Sequence, residues 1–255
     1  MGQLVLNNAK IFLGGCDVSA DLNQVSVAMN AAMLNDNAFG DTAESNRAGL
    51  LKTTIDLEGF YNTAAGNPDG FDNTAFTALG QDNQLLTVFA DGLTEGTSTD
   101  KGYAWPVTLS KYNPFANVKV GDLLAVSLSA QSQSATNRAI PLKNGTSSMI
   151  TASASGTKYV VGAVSSTQYL YAGLHVLEYQ GTSPTLAVIV ESDADGSAGG
   201  ETTRITFNTV SGSTGAQYAT RVAGAITDTY WRASWTIGGS STPGFKFLIW
   251  MAIGT

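Results

Sequence analysis

Histidine and cysteine each occur once in these 255 residues, as His175 and Cys16. A zinc site takes three or four such ligands, so one of each cannot supply it. A single cysteine forms no intrachain disulfide, and the fold must hold by packing and ladder hydrogen bonds. That suits assembly in a reducing cytoplasm. Charge is also scarce, at 13% of residues against about a quarter in ordinary globular chains. Hydroxyls and amides then solvate the surface, and little repulsion opposes contact between copies. Long apolar runs are missing as well. Phe247 to Ile253 is the longest, far short of the ~20 residues that cross a bilayer as a helix. The start, Met1 to Val5, has neither the basic region nor the apolar core of a secretory signal. The expectation is a soluble protein without an export signal.

The formal charge of −7 is unevenly placed. Residues 1–130 hold 14 Asp and Glu against 6 Lys and Arg, and residues 131–255 hold 6 against 7. The front half is acidic and the rear half close to neutral. Such a body lacks the cations that neutralise phosphates and release counterions, so tight binding along a nucleic acid is not expected. DNA could pass without sticking.

Where the sequence is periodic, the period is two, with Gly, Asn, Asp and Ser clusters marking turns. The expected class is mostly β. Strands are predicted at Lys10–Leu13 and Gln24–Met29, then from Thr53, then at Gln84–Ala90, Gly102–Lys111 and Asp122–Ala130. One short helix is predicted over Asp72–Leu79, with Asp72 or Asn73 as its cap, Gly80 as its stop, and Phe76 and Leu79 pinning it to a sheet. The Ser-rich stretch from Gln131 reads as a linker over 131–138. Residues 1–130 and 139–255 are therefore expected to be two units. In the second, strands are predicted near Lys158–Val164, Tyr169–Tyr179, Thr185–Glu191, Thr202–Phe207 and Gln217–Val222. A closing hairpin, Tyr230–Ile237 to Phe245–Ile253, is expected to turn through Gly238–Gly244. Strands at such short spacing suggest a β-sandwich.

Candidate chemistry is thin. His175 lies inside a strand, where a packed or surface role is expected before a catalytic one, and no serine has the glycine frame of a nucleophile elbow. Asp193-Ala194-Asp195-Gly196 with Glu191 has part of a calcium-loop pattern but lacks the later glutamate. Asp56, Glu58, Asp69 and Asp72 could pair as carboxylates, yet Asp56 and Glu58 fall on the wet side of one strand. Trp231 and Trp235 share a strand face; they could stack on sugar rings in a carbohydrate-binding module, or fill a sandwich core. No enzyme, cofactor or metal is expected.

The informative stretch is Ala31 to Leu50, a long arm between two alternating segments. It is too polar at its turns to bury a core of its own, and it needs a partner surface. It contains Phe39-Gly40-Asp41-Thr42 and Arg47-Ala48-Gly49-Leu50. Before it comes Ala9-Lys10-Ile11-Phe12-Leu13-Gly14-Gly15-Cys16-Asp17-Val18-Ser19, and after it Leu57-Glu58-Gly59-Phe60. In this order and spacing the stretches resemble the major tail tube proteins of long-tailed, siphovirus-like bacteriophages, over roughly residues 1–130. Cys16 stands where an aromatic such as Tyr is usual, and Leu51 where a charge is common. More loosely, Gly181 to Leu186 and Arg232 to Ile237 resemble sandwich domains that accompany such tube domains.

The resemblance implies a tail-tube-like β-barrel or sandwich followed by a second β-sandwich, either an outer module or a second barrel. It implies self-association into rings, six-fold or as three two-barrel subunits, stacked into a hollow tube for DNA in transit. Tape-measure, terminator and tail-tip proteins are the implied further partners, with no membrane. The implied place is the virion tail, assembled in the host cytoplasm. A head decoration or a tail-tip ring is the nearest structural alternative. Asp41 and Arg47 are the expected polar assembly contacts, and Phe39 and Leu50 the apolar anchors.

Overall fold

The structure is a computed structural model, and it describes residues 8–37, 39, 42–61, 71–96, 102–115, 118–197 and 199–255. The front half contains β1 (Lys10–Leu13), β2 (Cys16–Asp17), β3 (Leu22–Asn35), β4 (Asn46–Phe60), α1 (Phe71–Ala78), β5 (Gln84–Phe89), β6 (Gly102–Asn113) and β7 (Ala125–Ser132). The rear half contains β8 (Asn137–Ile150), β9 (Ala154–Ser155), β10 (Tyr159–Val160), β11 (Tyr169–Asp193) and β12 (Thr202–Thr206). It continues with β13 (Val210–Ser211), β14 (Gly215–Tyr218), β15 (Val222–Ala223) and β16 (Tyr230–Gly254). The chain is mostly β, and every pairing between these strands is antiparallel.

In the front half the strands run in the order β3, β4, β7, β6, β5, β1, β2. Alternation makes this sheet two-faced. Thr53, Ile55, Leu57 and Gly59 of β4 turn inward, while Asp56, Glu58 and Phe60 face out. Of these, Ile55 and Leu57 join Ile11, Leu13, Trp105, Val107, Val126 and Leu128 in one core. Helix α1 closes that core, but with a different face from the one expected. Phe71, Ala75 and Ala78 are buried, at the i, i+4, i+7 spacing of one helical stripe. Phe76 is exposed, and Leu79 lies beyond the helix, bridging Leu109. Asp72 stands inside the first turn, not at the cap, where it accepts a hydrogen bond from the Tyr112 hydroxyl at 2.5 Å. The helix does stop before Gly80, whose N–H donates to the Leu109 carbonyl.

The rear half departs from the predicted closing hairpin. Tyr230–Gly254 is one 25-residue strand, and Tyr169–Asp193 is another of the same length. They pair with each other from Tyr169↔Gly254 to Asp193↔Tyr230. The Gly- and Pro-containing segments that read as turns are instead two kinks facing each other. Register slips there between Gln180 and Thr185, and Gly181 and Gly239 take φ of 98° and 120°, which a Cβ would strain. A Cβ on either would also meet the Pro of the opposite kink, at Pro243 and Pro184. The paired strands therefore bend together without separating. Strand β8 was missed, since Pro141 and Gly145 interrupt its pattern, and it links β16 to the start of β6.

The second part of β16 is buried on both sides. Phe245, Phe247, Ile249 and Met251 enter the rear core with Trp231, Trp235, Leu186 and Val188. Leu248, Trp250 and Ala252 point the other way, into a third cluster with Phe12, Leu85, Phe89, Ala104, Ala139 and Tyr171. The apolar run Phe247–Ala252 records this double burial, since a half-wet strand would alternate. The third cluster joins front and rear halves. Gly15 belongs to the same seam: a Cβ there would lie 2.3 Å from the Gly215 nitrogen, so glycine lets the two backbones touch.

Candidate assembly surface

Strands β3 and β4 continue past the body as a hairpin, paired as far as Asn35↔Asn46. The arm expected over Ala31–Leu50 is thus mostly ladder rather than loop. Strand β7 covers β4 only from Thr54 onward. From Thr53 outward toward the tip, among the described residues, β3 and β4 pair only with each other. The face that is dry at Ile55 and Leu57 carries on as Leu51 and Met29, and there it is wet. Leu51 is 76% exposed and Leu50, on the other face, 87%. Met33, Leu34 and Phe39 are exposed as well. Burying a Leu, Met or Phe side chain is worth about 1.5–3 kcal/mol, so this arm leaves a large association energy unused.

Of the four expected contact residues, Phe39 and Leu50 stand free on the arm. Arg47 is engaged within it: its Nε donates to the Asp36 carboxylate at 2.5 Å. Hydrogen bonds from Ser45 first and Arg47 second hold the Asp36 carboxyl below its ordinary range. Asn35 Nδ2 also donates to Glu44, and the Ser45 N–H to Asn37 Oδ1. These contacts stiffen the described part of the tip. Asp41 lies outside the described residues. Met29, Met33, Leu34 and Leu51 were missed by sequence reasoning, although Leu51 continues the period-two series of Thr53, Ile55 and Leu57.

The outer face of the front sheet is polar across four strands. Ser26, Asp56, Ser129 and Lys111 lie in one row, and Gln24, Glu58, Ser127 and Asn113 in the next. Asp56 accepts from the Ser129 hydroxyl at 2.6 Å. Both carboxylates are exposed, as the sequence suggests, while Asp69 lies outside the described residues. No group of three or more His, Cys, Asp or Glu is placed to hold a metal among the described residues. Nor is any described helix long and apolar enough to cross a membrane.

His175 is packed in, at the seam between the halves. A carbonyl can only accept, so Nδ1 carries the proton and donates to the Gly14 carbonyl at 2.7 Å. Nε2 then accepts from the Thr87 hydroxyl at 2.8 Å. The Phe12 ring lies 5.6 Å away. Burial pulls the imidazole down to about 4, against a weaker upward pull from the Gly14 carbonyl. A second tie across the seam is Glu95, which accepts from Lys143 Nζ at 3.0 Å, the Asn144 N–H at 2.8 Å and the Tyr159 hydroxyl at 3.0 Å.

The calcium-like segment is occupied by the chain's own cations. Lys158 binds Asp193 and, at 2.9 Å, Glu201; Arg232 binds Glu191 at 2.8 Å and Glu201 at 3.0 Å. The hydrogen bond from Lys158 is the main cause holding Glu201 down at about 2. Trp231 and Trp235 are core residues, and their indole N–H groups donate to the carbonyls of Gly162 and Ala152. The sugar-stacking role considered for them has no exposed ring pair to use.

No protein-family model matches the chain, and no curated protein matches it. Solved structures do. A chain from the virion of a native gene transfer agent particle is 13% identical, over 51% of this chain and 93% of that one, at a TM-score of 0.36. The SPP1 Dit protein, described as a paradigm of the hub adsorption apparatus in phages infecting Gram-positive hosts, is 8% identical over 98% and 100%, at 0.37. A chain of the phage p2 baseplate in its activated conformation is 10% identical over 96% and 98%, at 0.35.

Proposed function

We propose that this chain is a structural subunit of a phage tail, of the tube-forming kind. Copies join into six-fold rings, and the rings stack into a hollow conduit for DNA. The observation that carries this reading is the bare apolar arm, not the likeness to tail and baseplate chains, whose TM-scores lie below 0.5. Phe39, Asp41, Arg47 and Leu50 act in assembly, with Arg47 holding the tip in shape and Met33, Leu34 and Leu51 adding contact area. Among the described residues β3 pairs with β4 alone, and its other edge would offer backbone groups to a neighbour's strand.

In this arrangement the outer face with Asp56 and Glu58 lines the bore, where like charge keeps phosphate from adhering. Residues 1–130 form the tube-like unit and 139–255 a second unit on its outside, connected through 131–138 and the shared third cluster. Tape-measure, terminator and tail-tip proteins meet the ends of the tube, in the virion tail after assembly in the host cytoplasm. We assign no catalytic role.

Sedimentation and electron microscopy of the purified protein at rising concentration, alone and with tail-tip components, test this. Rings or tubes are the expected result. A monomer at every concentration, with and without those components, would defeat it. Copy number per particle separates a tube subunit, expected among the most abundant proteins, from a tail-tip ring or a head decoration.

A further inference from the structure

A groove of about 410 Å³ lies between the β7–β8 connection, at Ser134 and Ala135, and the edge of the rear sheet, at Tyr171, Tyr218, Thr220 and Arg221. It runs on into a second of about 430 Å³ that shares Tyr218, Ala219 and Thr220. Each is within the roughly 300–1,000 Å³ of small-molecule sites. One face of the rear sheet supplies an aromatic floor. Tyr218 and Trp250 flank Gly173 in one ladder row. A Cβ on Gly173 would lie 2.4 Å from the indole, so glycine lets Trp250 lie over it and pack on Tyr218, 6.1 Å away between ring centroids. Tyr171 stacks against Tyr218 at 6.4 Å, and Tyr169 follows at 6.4 Å from Tyr171. Buried Asn137 fixes Tyr218: its Nδ2 donates to the phenol oxygen at 2.9 Å, which leaves the hydroxyl proton to give. Arg221 Cζ sits 4.0 Å from the centre of the Tyr169 ring, and its guanidinium is hydrogen-bonded to the Tyr171 hydroxyl. Among the described residues no carboxylate is ion-paired with it.

We propose that this groove binds an acidic saccharide, with a sugar ring packed on Tyr218 and a carboxylate held by Arg221. The site is independent of self-assembly and stands with or without it. Its lining selects the ligand class. Hydroxyls and amides predominate, and no Val, Leu, Ile or Met lines either groove among the described residues, so an apolar peptide anchor finds no seat. A sugar presents the matching mixture, an apolar ring face with hydroxyls around its rim. The guanidinium fork takes a carboxylate through two parallel hydrogen bonds. Stacking on Tyr169 and the bond to Tyr171 hold that fork in place. Charge limits the number of acidic groups. Arg221 is the one cation lining the two grooves among the described residues. It balances a single carboxylate, whereas a phosphate-linked strand needs a row of cations.

Calorimetric titration of the full chain with a galacturonate trisaccharide, a hyaluronan disaccharide and sialyllactose, each beside its methyl ester, tests it. At least one acid is expected to bind saturably, and its neutral ester about tenfold more weakly, as loss of a charge-assisted contact implies. Arg221→Gln should bind acid and ester alike, at the level of the ester. Because Arg221 is exposed, that variant should keep the thermal midpoint of the wild type. Ala135→Trp, at an exposed position on the facing wall, should fill the groove and remove binding of both. Failure of all three acids to bind would overturn the proposal. So would an Arg221→Gln chain that binds the acid as tightly as wild type. Tighter binding of hexathymidylate than of any saccharide would overturn it too, and would mark the groove as one for a nucleic-acid strand.

Discussion

Changing Leu50 and Leu51 together to aspartate is expected to abolish assembly and leave the subunit folded. Both side chains are mostly exposed in the isolated chain, and exposed substitutions ordinarily shift stability by no more than about 0.5 kcal/mol. Two such changes sum to no more than about 1 kcal/mol, so the thermal midpoint should stay within about 4 °C of wild type. In the proposed assembly the same positions would be enclosed, and each carboxylate would lose its water without gaining a partner. Truncation of central interface side chains commonly costs 2 kcal/mol or more, and an unpaired buried charge costs further. A rise of at least 100-fold in the concentration needed for assembly follows, read by sedimentation. Leu50→Met with Leu51→Ile keeps the apolar area and should assemble near the wild-type concentration. Equal assembly by the aspartate variant would show that the arm is not a contact. Unfolding of that variant would show that the arm belongs to the core.

Acid should loosen the molecule before its carboxylates titrate, because of His175. The imidazole ordinarily titrates near 6.5 and is pulled down to about 4 in the folded chain, so the unfolded state takes up a proton that the folded state refuses. Its contribution is complete above pH 6.5, declines as pH falls, and is exhausted near pH 4. Between pH 7 and pH 5 the loss is about 2 kcal/mol, and over the whole window about 3 kcal/mol. The depressed carboxylates act lower down: Glu201, held at about 2 instead of 4.5, gives up its contribution only between those values. Urea unfolding at pH 7, 6 and 5 reads the difference. His175→Gln should flatten the slope across that range. A wild type equally stable at pH 7 and pH 5 would mean that the ring is not held neutral at the seam.

Much of the front half was readable in the sequence because its strands are wet on one side. The series Thr53, Ile55, Leu57 against Thr54, Asp56, Glu58 declares both the strand and its dry face, and the structure keeps that assignment. Strands buried on both faces carry no such alternation. Phe247–Ala252 shows that the segment is deep, yet not that half of it faces the strands of the front half. The kinks misled for a related reason. Gly181 and Pro184, like Gly239 and Pro243, have turn chemistry, and only the pairing of one segment with the other shows that the chain bends there without reversing. The seam was invisible, since His175, Thr87 and Gly14 are joined across 161 positions of sequence by nothing a local pattern contains. On the arm, Phe39 and Leu50 are exposed and Arg47 is engaged with Asp36, while the ladder runs on to Asn35↔Asn46 although the period-two pattern of β3 fades after Met29.

A hairpin standing alone in water is marginal, and low local stability appears as fast amide exchange. Hydrogen exchange of residues 28–35 and 46–52, compared between dilute and assembled protein, therefore bears on whether the arm is completed by a second copy. In dilute protein these amides should exchange rapidly while those of β11 and β16 stay protected; on assembly they should slow by more than tenfold, with β11 and β16 unchanged. Arm amides as protected as β11 and β16 in the dilute monomer, or unaltered at every concentration, would contradict an arm that waits for a partner.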